Sequence, residues 1–105
     1  MGGHHAVPKF LGGKAWQGLV KELGPKHQEF HSLLRQYLRD ANIPLDAANT
    51  SAAEWRRYFR ANAGSQRLAF DAVLNAARDI DVKYGTDITQ FFWKNLMEDR
   101  VAIYP

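Results

Sequence analysis

The sequence predicts a mainly α domain, in which a short N-terminal strand–strand–helix unit is followed by a bundle of three or four helices. Three observations predict it. From Phe30 onwards, apolar residues recur at three- and four-residue spacing, the period of helices that bury one side. Six of the eight glycines (Gly2, Gly3, Gly12, Gly13, Gly18, Gly24) fall in the first two dozen residues, where helical periodicity is weak. With 105 residues, 46% of them hydrophobic and 24% charged, the chain can bury one core and no more, so 1–105 is read as a single domain.

The elements follow in order. His4 to Val7 reads as a short strand, Pro8 to Ala15 as a loop turning at Gly12-Gly13, and Gln17 to Leu23 as a second short strand. Ala15, Leu19, Val20 and Leu23 fit a helical turn equally, and both readings stay open. Gly24-Pro25 opens a helix, because proline is favoured at the first helical position. Phe30, Leu33, Leu34, Tyr37, Leu38 and Ala41 form its apolar side, and Pro44 ends it near Asn42. Ser51-Ala52-Ala53-Glu54 is a capping box, and Trp55, Tyr58 and Phe59 share one side of the helix it opens. Gly64-Ser65 ends that helix and caps the next, which runs through Leu68, Val73, Leu74 and Ile80 to about Tyr84 and stops at Gly85. Thr86-Asp87 starts a last helix carrying Ile88, Phe91, Phe92, Leu96 and Met97, and Val101 to Tyr104 reads as a terminal strand. No repeat and no low-complexity tract is present.

Composition narrows the function classes. No apolar run approaches the roughly 20 residues that a membrane span needs, so no membrane partner is expected. The first residues lack the charged and apolar regions of a signal peptide, so export is expected to use another route. A myristoylation signal is also absent. Without cysteine, any metal is held by histidine, carboxylate or water. The net charge of +3 suits an anionic partner but is common among small domains.

The four histidines fall into two pairs, His4-His5 and His27/His31. Residues four apart on a helix project from the same side, so the imidazoles of His27 and His31 can converge on one ion. The plainer reading makes His31, beside Phe30 and Leu34, a core-edge histidine with one hydrogen bond, and makes His27 a surface residue. A zinc-protease helix is excluded, since Gln28 follows the first histidine and Glu29 points to the opposite side. On a strand, His4 and His5 face opposite ways, so one can ligate a metal while the other acts as a base. A purification-tag remnant is the rival reading of that pair, although tags run longer and this one continues straight into AVPKFLGG.

Together the pattern is HH, a gap of 21 residues, then HxxxH at a helix start, with proline three residues after the first pair. It resembles the ββα-metal, or His-Me finger, nucleases of the HNH superfamily, most of all the HH-type C-terminal modules of bacterial polymorphic toxins, and in logic the DNase domains of colicins. HHAVPKFLGG and QGLVKELGPKHQEFHSLL carry the likeness. The resemblance implies a ββα-metal core over 1–41 and a helical extension over 42–105. It makes His5 the general base, and His4, His27 and His31 the ligands of one divalent ion (zinc, magnesium or nickel). Three imidazoles leave an open coordination position, as catalysis requires. The asparagine of HNH has no counterpart between Pro8 and His27, where Gln17 is the nearest polar residue. Gly2 and Gly3 stand where an acidic residue often precedes the pair.

The implied activity is metal-dependent endonucleolytic hydrolysis, of DNA in preference to RNA, by a monomeric antibacterial toxin module. That module would be secreted as part of a larger toxin, would act in the target-cell cytoplasm, and would be held in check by an acidic immunity protein. Lys9, Lys14 and Lys26 are the expected phosphate contacts near the site. Arg56, Arg57 and Arg60, with Arg67 following, are the candidates farther away, or else an ordinary solvated face. Trp55, Tyr58 and Phe59 are expected in the core rather than under bases. Two rivals remain: a non-catalytic helical module that binds nucleic acid or protein, and a structural metal site that uses all four histidines.

Overall fold

A computed structural model describes residues 23–46 and 50–99. They are mainly helical and contain no strand. A 3-10 turn, Gly24–Lys26, leads into α1 (His27–Asp40), and α2 (Ala52–Ala61), α3 (Ser65–Tyr84) and α4 (Ile88–Asp99) follow. The strands expected at His4 to Val7 and Val101 to Tyr104, and the Gly12-Gly13 turn, lie outside the described residues. Of the expected second strand only Leu23 is described. Its dihedrals are helical (φ −67°, ψ −36°) and its side chain is fully buried, so at that position the helical alternative holds.

Pro25 supplies the first-turn φ and lacks the amide that a helix start would leave unpaired, as expected. The other end of α1 closes in a Schellman motif. Asn42 N–H donates to the Arg39 carbonyl (2.9 Å) and Ile43 N–H to that of Leu38 (3.0 Å), with Asn42 in the left-handed region (φ 61°). This reversal folds Ile43 back over Leu38, and both are buried.

The capping box of α2 forms as its sequence predicts. Ser51 Oγ accepts the Glu54 amide (3.1 Å), and Glu54 Oε1 accepts the Ser51 amide (3.2 Å). Trp55 and Phe59 are buried with ring centroids 5.5 Å apart, so they belong to the core, as expected, and Tyr58 lies at its margin.

The central helix is α3, about 30 Å long for its 20 residues, and it packs against α1, α2 and α4. It can serve three neighbours because its buried residues cover about half its circumference, and Ala69, Ala72, Ala76 and Ala77 let backbones approach closely. Of the expected Gly64-Ser65 cap, Gly64 is the N-cap, in the left-handed conformation (φ 80°), whereas Ser65 is the first helical residue, buried rather than capping. Leu68, one of the apolar residues that mark this helix in the sequence, is 46% exposed, because the buried stripe runs through Ala69, Ala72 and Ala76 instead. Gly85 ends the helix at φ 68°, as expected.

The start of α4 is capped from outside the helix. Asp81 of α3 accepts the Ile88 amide (2.7 Å), the Thr89 amide (2.9 Å) and the Thr86 hydroxyl (2.6 Å). Partial burial pushes the Asp81 carboxyl up, but these hydrogen bonds, from Thr86 first, outweigh it and hold it below its usual value.

Polar bonds fix α1 on α3. Lys83 Nζ lies 2.8 Å from Glu29 Oε2, Tyr84 donates its hydroxyl to Glu29 Oε1, and Tyr37 donates to Asp79 Oδ2 at 2.6 Å. Later residues of α1 meet earlier residues of α3, so the two helices run in opposite senses. The core between them holds Phe30, Leu34, Val73 and Ile80, all fully buried. Each buried Phe, Val, Leu or Ile side chain contributes roughly 1.5–3 kcal/mol.

Candidate metal centre

His27 and His31 occupy the first turns of α1, on the edge beside Phe30 and away from the side where Glu29 meets α3. Both are half-buried. Their rings meet edge to face (centroids 4.5 Å apart, interplanar angle 78°) and their Nε2 atoms stand 2.9 Å apart. As a hydrogen bond, this contact needs one Nε2 to carry a proton and the other to offer its lone pair. Two protonated rings break it, and a metal takes both lone pairs.

The donor set suits a borderline transition metal. Nε2 atoms bound to one tetrahedral ion at Zn–N of 2.0–2.1 Å lie about 3.3 Å apart, so the observed 2.9 Å needs an opening of only about 0.4 Å to become chelating. Among the described residues, no group of three or more metal-binding side chains gathers. The two imidazoles are two potential ligands, and the described residues bring no third to them. His4, the expected third ligand, and His5, the expected base, lie outside the described residues, as do Lys9, Lys14 and Gln17.

Glu29 takes no part in the pair. Hydrogen bonds from Lys83 first and then Tyr84 hold its carboxyl below the usual glutamate range, and raise Lys83 and Tyr84 above theirs. This engagement agrees with the exclusion of a zinc-protease helix. Lys26 turns towards the same cluster, with Nζ 5.2 Å from the Tyr84 ring centroid, a cation–π distance.

Arg56, Arg57 and Arg60 are exposed on the side of α2 opposite Trp55 and Phe59, and they line one open depression with Ala53 and Ala61. Arg67, on α3, is also exposed. Sequence reasoning passed over Arg35 and Arg39. Both are exposed and continue the four-residue interval that begins at His27, a signal that was present in the spacing. No helix among the described residues is long and apolar enough to cross a membrane. No protein-family model, curated protein or solved structure matches the chain.

Proposed function

We propose that this chain is a metal-dependent endonuclease of the HNH, His-Me finger kind, a toxin module that hydrolyses phosphodiester bonds, DNA in preference to RNA. The observation that carries the reading is the convergence of His27 and His31 Nε2 atoms at the start of α1. With His4, these two would hold one divalent ion, zinc, nickel or magnesium, and imidazole donors favour the first two. Bound there, the ion supplies Lewis acidity and a template for the scissile phosphate.

The other roles belong to the chain. His5, neutral near pH 7, takes the proton from the attacking water. Lys9 and Lys14 supply cations near the cut, Lys26 being turned instead towards Tyr84, and Arg56, Arg57 and Arg60 supply them farther along. The wider context rests on resemblance: secretion within a larger toxin, action in the target-cell cytoplasm, and an acidic immunity protein as partner.

A second reading draws on the same distance. At 2.9 Å the two imidazoles satisfy each other, and the domain is then a non-catalytic helical module whose basic surface binds nucleic acid. The test incubates the protein with supercoiled plasmid and with labelled RNA, under zinc, nickel or magnesium, beside a His5→Ala variant. The nuclease reading expects metal-dependent nicking that His5→Ala loses. No nicking under any metal, or equal nicking by the variant, favours the second reading.

A further inference from the structure

The histidine pair begins a longer row. His27, His31, Arg35 and Arg39 follow one another at four-residue intervals on a ridge that winds slowly round α1, about 6 Å per step and about 18 Å from end to end. Neither arginine forms an ion pair with a described carboxylate. The C-terminal end of this ridge borders a groove made by the chain reversal after α1. Arg35 and Arg39 of α1 and Pro44 and Leu45 after the reversal line it, over the buried side chains of Leu38 and Ile43. Asp46 is the single acid at its edge, against two guanidinium groups.

Cations beside aliphatic surface match a ligand that joins anionic groups to flat apolar ones. Guanidinium forks bind phosphate in paired hydrogen bonds. An unstacked base can lie against Pro44 and Leu45, whereas a duplex keeps its bases stacked and offers phosphates alone. The ridge leads from the groove directly to the imidazole pair. We infer that Arg35, Arg39, Pro44 and Leu45 form a subsite for a nucleic-acid single strand, two phosphates on the arginines and one base against Pro44 and Leu45 in the groove. Its place beside a scissile phosphate rests on the nuclease reading, but the strand-binding itself does not.

The test measures fluorescence anisotropy of a short labelled single-stranded DNA, and of its duplex, in chelator so that nothing is cut. An Arg35→Gln/Arg39→Gln double variant is compared with wild type and with Arg78→Gln, an exposed cation elsewhere on α3. The double variant is expected to bind the single strand about tenfold more weakly, with a salt slope lower by about 1.4, the value for two phosphates of a single strand. Leu45→Asn is expected to abolish the preference for single strand over duplex. Thermal melts report whether each variant is folded.

Three results overturn the proposal: affinity and slope in the double variant equal to those of Arg78→Gln, no preference of wild type for the single strand, or competition by polyglutamate as effective as by DNA. The outcome is separable from that of the nuclease reading. A chain that cuts no plasmid but loses the strand in the double variant keeps the groove and loses the nuclease. A chain that nicks plasmid while the double variant binds normally keeps the nuclease and loses the groove.

Discussion

His27 and His31 stand four residues apart on α1, both half-buried, with their Nε2 atoms 2.9 Å from one another, a geometry that one hydrogen bond or one ion can bridge. Wild type is expected to bind zinc or nickel one to one in calorimetry, more weakly as pH falls, because both rings must be unprotonated to ligate. Replacing either histidine with alanine should weaken binding more than about 100-fold, since even the outer-shell partners of metal ligands are worth 10–100-fold. Unaltered affinity in His31→Ala would remove the pair from the site. Asn42 makes a different single-residue contribution, occupying a left-handed position that most side chains resist. Asn42→Ala should cost about 1 kcal/mol in a denaturant melt and Asn42→Gly little or nothing.

At the level of elements, Asp81 holds the join between α3 and α4. Asp81→Ala should cost about 1–2 kcal/mol, as the loss of an N-cap does. Its carboxyl is held below the usual aspartate value, so the ionised form is bound more tightly in the folded state. That stability is complete above the unfolded value and is lost as pH falls through the lower folded one. Melts of wild type should therefore drop faster below about pH 4 than those of Asp81→Asn, and parallel curves would contradict the role. The α2 capping box was legible because all its partners lie within four residues. The α4 cap was not, because its acceptor lies seven and eight residues back on another helix, where Thr86-Asp87 looked sufficient. Leu68 misled for a related reason: its class suggested burial, but alanines set which side of α3 faces three neighbours.

For the whole molecule, the mainly helical character could be read from spacing alone, and so could the convergence of His27 and His31. Among the described residues one cluster of buried side chains runs from Leu23 to Phe92. Phe30 stands at the junction of that core with the candidate site, fully buried beside His31 with ring centroids 6.0 Å apart. Phe30→Ala should cost about 3–5 kcal/mol, a large part of the 5–15 kcal/mol typical of a domain, and lower Tm accordingly. A milder Phe30→Leu, if folded, should keep metal binding. What spacing could not supply was the groove after α1, since a Schellman reversal places Ile43 over Leu38 through backbone bonds that no side-chain pattern announces. The central proposal is that the His27/His31 pair on α1 serves metal-dependent hydrolysis of nucleic acid. Its most direct test is the initial rate of plasmid nicking in metal, in chelator, and after metal is restored, for wild type beside His31→Ala. The account predicts that chelator stops wild type, that metal restores it, and that His31→Ala stays at background throughout. Nicking undiminished in chelator, or equal in His31→Ala, would contradict it.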